Sequence, residues 1–468
     1  MTDTPADVYP GIQAERVAAL NDRTEPTPAD YVLYWMQQSQ RAELNHALEY
    51  AVRRANELAQ PLLVAFGLTD DYPEANLRHY TFLVQGLADV AAALERRHIP
   101  FVVRRGAPDE VALELAQRAS LVVCDRRYLR PQRQWRERVA REAACPVIQV
   151  ESDVVVPVQL ASDKRETAAR TLRPKISRHL DRFLVPLPKA TLETDAALNV
   201  SGEDLSDVDG LLDRLTIDRS VPPVPLFTGG TTAATKMLGA FVADSLPTYA
   251  AHRGQPQTND VSHMSKFLHY GQISPVYIAL QLREAAGGEN TEAYLEELIV
   301  RRELPMNFVF YEPRYDDYAC VPAWAKATLA EHAGDERPYL YTREQLEAAE
   351  THDPYWNAAM TEMRTTGYMH NYMRMYWGKK IIEWSPDPET AYQTTLRLNN
   401  KYFLDGRDAN SFANVAWVFG QHDRGWTERS VFGKVRYMNA QGLERKADPK
   451  AYVAKVEKLA AEAAAATT

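Results

Sequence analysis

The sequence has few cysteines and no long apolar run. Only 3 of its 468 residues are cysteines, and Cys124, Cys145 and Cys320 lie too far apart for a metal-binding motif. We expect them to be reduced, buried thiols of a cytoplasmic protein. No segment approaches the roughly 18 uncharged apolar residues of a membrane-spanning helix, and the opening MTDTPADVYPG lacks the apolar core of a secretion signal. The sequence therefore predicts neither a membrane protein nor a secreted one.

A dinucleotide fingerprint and an excess of positive charge are also missing. No G-x-G-x-x-G motif follows any predicted strand, so the nicotinamide type of binding site is not indicated. The net charge of −9 argues against a protein coated in basic residues for nucleic acid. However, residues 364–450 contain 14 Lys and Arg against 9 Asp and Glu. The C-terminal third can therefore offer an anionic partner a basic surface, although a solvated mixed surface would look the same.

Two kinds of pattern divide the chain. The first half alternates amphipathic helical patterns with apolar runs, which we predict to be strands at residues 31–36, 61–68, 99–106, 121–125 and 146–152. This alternation is typical of a doubly wound, Rossmann-like parallel sheet. From about residue 231 the strand patterns end and helical patterns follow. The fold class is therefore predicted to be an α/β domain joined to an all-α domain.

The length of 468 residues suggests two or three domains. We predict a loose, flexible arm over residues 1–30 and the α/β domain over residues 31–156. A connector over residues 157–225 is indicated by clustered glycine, proline, serine and acidic residues. The helical domain is predicted to span residues 226–460.

The stretch GYMHNYMRMYWGKKIIEW, residues 367–384, has an unusual pattern. If all of it is helical, five residues share one face at the 3.6-residue period: His370, Arg374, Trp377, Ile381 and Trp384. Such a face is normally an apolar stripe packed into a core. Because a buried arginine needs a partner, this face is expected to meet something polar, flat or both.

Several blocks of the chain resemble class II cyclobutane pyrimidine dimer photolyases, within the photolyase/cryptochrome family. In the C-terminal half they are AYLEELIVRREL (293–304), THDPYWNAAMTEM (351–363), the stretch 367–384, LNNKYFLDGRDAN (398–410) and HDRGWTERSVFGKVRYMN (422–439). Upstream, YWMQQSQR (34–41) and TAARTLRPKI (167–176) are also similar to the family. The resemblance covers nearly the whole chain, and the order of the blocks makes it specific.

The resemblance implies a carbon–carbon lyase that repairs pyrimidine dimers in UV-damaged DNA with blue light and fully reduced FAD. A dimer weakens base pairing, so flipping it out of the duplex costs less than flipping out an intact base pair. We expect a monomer. The sequence leaves open whether an antenna chromophore such as a deazaflavin also binds, and preference for cyclobutane over (6-4) lesions depends on the resemblance alone.

Two other functions are open from the sequence. One is a cryptochrome-like flavin photoreceptor without repair activity, and the other is a flavin-free helical DNA-binding module. The absence of a long signalling tail after Tyr452 and the presence of the dimer-pocket residues favour repair over the photoreceptor. The flavin-free module predicts that the purified protein carries no chromophore.

The resemblance assigns a flavin-phosphate segment to residues 262–274, SHMSKFLHYGQIS. Ser262 and Ser265 lie at an expected helix start, where free N–H groups and the helix dipole favour a pyrophosphate. Without the resemblance, these serines would be ordinary helix caps. The segment has Ser265-Lys266-Phe267 instead of the more usual serine-proline-tyrosine, and Tyr249 upstream matches a flavin contact.

The flavin ring is assigned a buried pair and an amide. Arg374 and Asp405 match the pair beside the ring; from the residues alone they are a structural salt bridge, since a buried arginine needs a carboxylate. Asn399 matches the residue that faces flavin N5, where an amide can donate or accept. Asn400 is the alternative if the alignment of this segment with the family motif is shifted by one residue.

Three tryptophans, Trp356, Trp377 and Trp384, match the chain that carries electrons to the flavin from the surface. Indole is easily oxidised, which suits tryptophans within hopping distance. Judged by pattern alone, they are core aromatics. Tyr376 is a further candidate in this chain.

The lesion is assigned a carboxyl group and a pocket. Glu297 matches the group that hydrogen-bonds a thymine edge, for which burial should raise its pKa; an exposed helical glutamate is the alternative. The pocket positions are a polar edge, a pliable wall and a stacking wall: Asn371, Met375 and Trp417. Other photolyases place a second tryptophan on the opposite wall of this pocket, and the sequence near Val300 and Arg301 lacks it.

The remaining assigned residues concern DNA. A cluster that supports DNA binding is matched by Asp423, Arg424 and Trp426. The phosphate-contact candidates are Arg429, Lys434 and Arg436.

Overall fold

The computed structural model describes residues 7–26, 28–196, 198–285 and 287–467. Its strands are β1 (Asp7–Tyr9), β2 (Ile12–Gln13), β3 (Val17–Ala19), β4 (Tyr31–Trp35), β5 (Leu62–Leu68), β6 (Phe101–Arg105), β7 (Ala119–Asp125) and β8 (Val147–Val150). Its helices in the first half are α1 (His46–Glu57), α2 (Leu77–Glu95), α3 (Pro108–Ala116), α4 (Arg130–Glu142), α5 (Val158–Ala161), α6 (Ala169–Ser177), α7 (Leu180–Phe183) and α8 (Val208–Asp213).

The second half is helical. Its helices are α9 (Thr231–Ala240), α10 (Tyr249–His252), α11 (Met264–His269), α12 (Pro275–Ala285), α13 (Glu289–Leu295), α14 (Arg302–Tyr311), α15 (Ala323–Glu331), α16 (Arg343–Ala348), α17 (Pro354–Thr366), α18 (Asn371–Trp384), α19 (Pro388–Tyr402), α20 (Ala409–Val418), α21 (Ala440–Glu444) and α22 (Pro449–Thr467). Two π-helical turns also occur, at Phe241–Ser245 and Glu296–Arg301. Such turns often mark functional sites.

The predicted parallel sheet is confirmed. The described residues form a six-stranded sheet in the order β3-β8-β7-β4-β5-β6, in which β4 to β8 pair in parallel. The chain order reverses beside β4, as in doubly wound folds that bind ligands at that point. Every residue of β4, β5 and β7 is buried, because helices cover both faces of the sheet.

The expectation of a loose arm over residues 1–30 is wrong for its described part. Strand β3 pairs antiparallel with β8 and forms an edge of the sheet. Next to it, the buried Arg16 donates hydrogen bonds of 2.9, 3.0 and 2.7 Å to the carbonyls of Glu151, Val154 and Val155. These bonds satisfy the buried guanidinium and fix the segment. Residues 1–6 and 27 lie outside the described residues.

The expected helix over residues 367–384 is shorter than predicted. Gly367, at φ +65°, ends α17 in a left-handed conformation, and an added Cβ there would lie 2.8 Å from a side-chain atom of Leu404. Helix α18 therefore begins at Asn371. His370 is its N-cap, and its ring nitrogen accepts a hydrogen bond from the backbone N–H of Tyr372.

The remaining features of the fold concern the connector, the cysteines and the membrane. Residues 157–225 contain α5 to α8, and the domain boundaries at 156 and 225 stay predictions. All three cysteines are buried and unpaired, as expected. Among the described residues, no helix combines the length and the apolar character needed to span a membrane.

Candidate active site

The predicted pair of Arg374 and Asp405 forms in the core of the helical half. Both terminal guanidinium nitrogens of Arg374 donate 3.0 Å hydrogen bonds to the two carboxylate oxygens of Asp405. The third donor of Arg374 reaches the Met369 carbonyl at 3.0 Å, and the guanidinium lies 3.8 Å from the ring centre of Phe403. A bidentate pair with a stacked guanidinium has one fixed geometry.

Two residues of α11 reinforce the charge of Asp405. Burial alone would raise the pKa of this carboxyl group, but Arg374, a hydrogen bond from Ser265 and the charge of Lys266 together hold the pKa below its usual value. Burial in turn lowers the pKa of Lys266 to about 7. The Lys266 ammonium lies 3.6 Å from the ring centre of Phe227. A cation that can release its proton therefore lies next to the pair.

Buried polar atoms close to this pair have no protein partner among the described residues. They are His263 Nδ1 and Trp377 Nε1. His263 packs edge-on against Tyr368 at 4.7 Å, and Arg374 lies 5.8 Å from that tyrosine ring. Burial lowers the pKa of His370 to about 4, so at neutral pH its imidazole is uncharged. Since buried polar groups are normally hydrogen-bonded, these atoms indicate a ligand with polar edges.

The two neighbouring asparagines are placed differently. Asn400 is fully buried: its amide donates to Glu74 at 2.6 Å, and its oxygen accepts from the backbone N–H of Arg407 at 3.0 Å. Asn399 donates to Asn400 and to Ser411, both at 3.0 Å. Its carboxamide oxygen accepts no hydrogen bond from the described residues. Of the two, Asn399 therefore has a group left for a ligand.

The flavin-phosphate segment differs from the expected helix start. Helix α11 has 6 residues and begins at Met264, and its N-cap is His263 rather than a serine. The Ser262 hydroxyl accepts from the backbone N–H of Met264 at 3.3 Å and from Tyr294 at 2.7 Å. Tyr249 packs on Tyr294 with ring centres 5.2 Å apart. Ser262 and Tyr249 thus lie on one side of α11, while Ser265 is exposed and faces the ion pair.

The three predicted tryptophans are all buried and form a connected series. The indole N–H of Trp356 donates to the Trp377 carbonyl at 3.0 Å, and the rings of Trp356 and Trp384 meet at 5.6 Å. At the inner end, Trp377 lies 6.5 Å from Phe403, the ring that stacks on Arg374. Trp356 therefore bridges two residues that are roughly 10 Å apart along α18.

Tyr376 points elsewhere. Its hydroxyl donates to Asp353, the N-cap of α17, and burial together with this carboxylate raises its pKa well above the usual value. The contact ties α18 to α17. Tyr376 is therefore placed as a structural residue.

The expected burial of Glu297 is wrong. Its side chain is 35% exposed and accepts a 2.8 Å hydrogen bond from Arg253. Glu297 lies on the π-helical turn, and the neighbouring Glu296 pairs with Arg173 at 2.7 Å and with Arg301 at 3.2 Å. The wider turn exposes both carboxylates to solvent and to arginines from other elements. Arg301, where a pocket tryptophan is lacking, is thus held in an ion pair.

The predicted pocket positions lie on two neighbouring helices. Asn371 is exposed and Met375 is half-buried on α18, one turn apart, and Trp417 is half-buried on α20. Lys379, one turn beyond Met375, is fully buried and its ammonium lies 5.1 Å from the Trp417 ring centre. Its ammonium donates to the Val418 carbonyl. Lys379 thus contacts Trp417, the residue predicted to stack on the lesion, from within the core.

The predicted DNA cluster is brought together after α20. Arg436 donates to both carboxylate oxygens of Asp423, at 2.8 and 3.2 Å. Its guanidinium lies 4.2 Å from the ring of Trp426 and 5.5 Å from that of Trp417. Arg424 lies 5.2 Å from the Trp426 ring, which is 39% exposed. This loop therefore connects the pocket wall to an exposed basic and aromatic surface.

Arg429 and Lys434 complete that surface. Arg429 is exposed, exchanges two backbone hydrogen bonds with Gly433 and lies 5.3 Å from the Tyr437 ring. Lys434 lies 4.0 Å from Glu428. Within the described part of the chain, neither Arg424 nor Arg429 has a carboxylate within 4 Å. Both cations are therefore available to an anionic partner.

A separate cavity lies at the carboxyl edge of the parallel sheet. Its walls include Met36 and Phe66 from the sheet, Trp135 from α4, and Tyr270 and Arg407 from the helical half. Mostly apolar, with a few polar groups, it has the character of a small-molecule site. It lies apart from the Arg374–Asp405 pair.

A Rossmann-like domain joined to a helical domain with a buried ion pair and connected tryptophans defines the photolyase and cryptochrome class. The bacterial class III photolyase structure from Agrobacterium tumefaciens has this fold, with a TM-score of 0.70, 19% identity and coverage of 92% of this chain and 87% of that one. The sequence model of the DNA photolyase family matches residues 32–193.

Similarity to named enzymes extends over the full fold. Deoxyribodipyrimidine photo-lyase of Methanothermobacter thermautotrophicus is 50% identical over 448 residues, which cover 96% of this chain and 99% of that protein. The enzyme of the same name from Oryza sativa is 41% identical, covering 93% of this chain and 89% of its own. The chain belongs to the DNA photolyase family and is an enzyme of the lyase class, and FAD is the cofactor of this family.

The residues around Arg374 fit a flavin. The unpartnered ring nitrogen of His263 and the open carboxamide oxygen of Asn399 suit the polar edge of a heteroaromatic ring. The fixed positive charge of Arg374 and the adjacent Lys266 suit its negative charge in the reduced state. Sequence reasoning missed Lys266 and Lys379 as parts of the site. The available signal was spacing: Lys266 follows Ser262 by four residues, and Lys379 follows Met375 by four residues.

Proposed function

We propose that this enzyme uses light to repair cyclobutane pyrimidine dimers in UV-damaged DNA. Helix α18 carries the main support. Within two turns it carries Arg374 of the ion pair, Trp377 of the aromatic series, and Asn371 and Met375, which we propose for the lesion pocket. In this proposal one helix links the lesion pocket, the flavin site and the electron path.

When bound, reduced FAD would supply light-driven one-electron chemistry for opening the cyclobutane ring. The chain positions this cofactor: Arg374 and Asp405 would lie beside its ring, and Asn399 would face its N5 edge. Ser262, Ser265 and Tyr249 are the candidates for the remainder of the cofactor. Because Arg374 is fixed by three hydrogen bonds and one stacked ring, its charge needs no rearrangement when charge develops nearby.

The lesion pocket combines a polar edge, a pliable wall and a flat wall. Asn371 offers an amide to a thymine edge, Met375 adapts to the shape of the dimer and Trp417 stacks on it. Glu297, which is half-exposed and hydrogen-bonded to Arg253, is proposed to accept a hydrogen bond from a thymine N–H. Flipping brings the dimer out of the duplex at low cost because its pairing is already weak.

The loop after α20 is proposed to hold the DNA. Arg424, Arg429 and Lys434 would contact phosphates, while exposed Trp426 would stack on bases next to the flipped dimer. Asp423 binds Arg436 in a fixed orientation between the two tryptophan rings. The proposed unit is a monomer acting in the cytoplasm.

The cavity at the sheet edge is the candidate site for an antenna chromophore such as a deazaflavin. Trp135 and Tyr270 offer flat apolar walls, and Arg407 offers a charge. Absorption spectra of the purified protein, compared before and after FAD is removed, test this assignment. Mutating Trp135 to alanine should release such a chromophore and leave FAD bound.

The deciding experiment illuminates reduced, FAD-loaded protein with DNA that carries a single cyclobutane dimer. Loss of the dimer under blue light, and no loss in the dark, is expected. If FAD is bound and reduced yet the dimer persists, repair is refuted and a photoreceptor is favoured. DNA with a (6-4) lesion, used in parallel, tests the lesion preference.

A second experiment tests the electron path. Trp377→Phe should abolish light-driven reduction of oxidised flavin but leave repair intact when the flavin is reduced chemically. Trp324→Phe changes a tryptophan on α15, outside the series, and serves as the control. Equal loss of repair under both conditions would show that Trp377 has a structural role instead.

A further inference from the structure

The tryptophan series lacks an exposed end. Trp356, Trp377 and Trp384 are 0%, 2% and 2% exposed, so their rings offer almost no surface to a reductant in solution. A more exposed redox-active group in contact with Trp384 would be better placed to meet that reductant.

Tyr341 is placed to be that group. Its ring centre lies 5.5 Å from that of Trp384, at 76°, and its backbone N–H donates to the Trp384 carbonyl at 3.2 Å. The backbone bond fixes the tyrosine against the tryptophan. Tyr341 is half-buried and lines a surface groove between α16 and α19. It thus contacts both Trp384 and the solvent.

The phenol of Tyr341 has a built-in proton acceptor. Its oxygen lies 2.7 Å from Nδ1 of His352 and accepts a hydrogen bond from the backbone N–H of the same histidine at 3.0 Å. In the tautomer of His352 that carries its proton on Nε2, the phenol O–H donates to Nδ1. This is the arrangement in which oxidation of a phenol can release its proton without a further movement.

We propose that Tyr341 and His352 form the outer end of the electron path, an inference that depends on the electron path proposed above. Tyr341 gives one electron to oxidised Trp384, restoring the neutral tryptophan. At the same time its O–H bond breaks and the proton joins Nδ1 of His352. The products are a neutral tyrosyl radical and an imidazolium, so charge and protons balance.

The return to the resting state uses a thiol in solution as the reductant. The thiol gives an electron and a proton to the Tyr341 radical and becomes a thiyl radical, and the imidazolium of His352 releases its proton to water. Tyr339 stacks on His352 at 3.7 Å and is 48% exposed. It shields one face of the imidazole and leaves the groove beside Tyr341 as the approach for the thiol.

The proton shift explains why the hole would stay at the surface. An oxidised, positively charged tryptophan can recombine with the reduced flavin by electron transfer alone. A neutral tyrosyl radical can recombine only if it also recovers its proton from His352. The hydrogen bond to His352 therefore favours lasting charge separation over recombination. Tyr341 acts here on the electron path and does not contact the DNA surface.

The test is an electron paramagnetic resonance spectrum of the full FAD-loaded protein, frozen after illumination with the flavin oxidised and no reductant present. Protein grown on ring-deuterated tyrosine identifies the radical, because deuteration narrows a tyrosyl spectrum and leaves a tryptophanyl one unchanged. A tyrosyl spectrum is expected in the wild type. Tyr341→Phe should remove it and lower the yield of stable flavin reduction, and added thiol should quench it in the wild type.

Two variants separate chemistry from structure. His352→Asn keeps a hydrogen-bond acceptor for Tyr341 but cannot take a proton, so the tyrosyl signal should be lost although the fold is retained. Tyr339→Phe removes the hydroxyl of an exposed neighbouring tyrosine and should leave the signal unchanged. A wild-type spectrum from tryptophan alone, or a tyrosyl signal that persists in Tyr341→Phe, overturns the proposal.

The electron path itself can fail separately. If Trp377→Phe still reduces its flavin in light, the tryptophan series is wrong whatever the Tyr341 variant does. If Trp377→Phe blocks reduction while Tyr341→Phe leaves the spectrum as in the wild type, then the series stands and the Tyr341–His352 assignment falls.

Discussion

Replacing Lys379 with methionine should remove a large part of the pH dependence of stability above neutral pH. Lys379 is fully buried, and burial lowers its pKa from 10.5 to about 7 despite the opposing charge of Asp423. In the unfolded chain the lysine keeps its proton to much higher pH. Unfolding between these two pKa values therefore takes up a proton, and the free energy of unfolding rises with pH.

The magnitude follows from the linkage relation. One proton taken up on unfolding changes the free energy by about 1.4 kcal/mol per pH unit. The folded protein is half-protonated at Lys379 at about pH 7, so the slope starts at half this value. From pH 7 to about pH 9 the wild type should gain about 2 kcal/mol relative to Lys379→Met. Methionine fills a similar volume without a charge.

Urea unfolding of both proteins at the two pH values measures this difference. Lys380→Met is the matched control, because Lys380 follows in the same helix but has Glu383 at 2.7 Å. The pH-dependent gain should be missing from the comparison of the wild type with this control. If the difference between the wild type and Lys379→Met stays constant or shrinks toward pH 9, the buried cation is refuted.

Three further changes test other contacts. Asp405→Asn should lower the free energy of unfolding by about 2 kcal/mol, since it leaves the half-buried Arg374 without a carboxylate; an effect under about 0.5 kcal/mol in urea unfolding would contradict this. Gly378→Ala should cost about 1–2 kcal/mol although alanine favours helices, because its Cβ would lie 2.7 Å from Val418; increased stability would argue against this tight packing. Arg424→Ala should weaken binding of damaged and intact DNA alike and reduce the slope of log affinity against log salt by about 1; loss confined to damaged DNA would instead indicate a lesion contact.

The sheet could be predicted because its strands are buried on both faces. Runs such as residues 61–68 and 121–124 are apolar throughout, and strands buried on both faces of a parallel sheet typically show that pattern. Residues 7–19 gave no such signal, because a three-residue edge strand is too short for a periodic pattern. The position of this edge segment depends on hydrogen bonds from Arg16 to residues over 100 positions away in the sequence.

The candidate site was predictable where spacing decides contact. Trp377 and Trp384 occur on one helix, and their relation to each other follows from the helical period. The bridging position of Trp356 and the pairing of Arg374 with Asp405 depend on how separate helices pack. Residue identities could raise those possibilities, but periodicity could not establish them.

Burial of charged side chains was the hardest feature to predict. Lys266 and Lys379 are buried, whereas Glu297, expected to be buried, is half-exposed. A π-helical turn shifts the direction of every following side chain, and no pattern in residues 293–304 indicated that turn. Errors of this kind affect electrostatic roles first, because charge effects depend on a few ångströms of burial.

The antiparallel edge strand β3 has a consequence for the synthesis of the protein. It leaves the ribosome before its partner β8, which follows about 130 residues later, a delay of roughly 7–26 s at usual rates of translation. During that time residues 17–19 lack the strand that they pair with, and Arg16 has none of its three carbonyl partners. The edge strand β3 can therefore join the sheet only after β8 has emerged, although it is made before every other strand of that sheet.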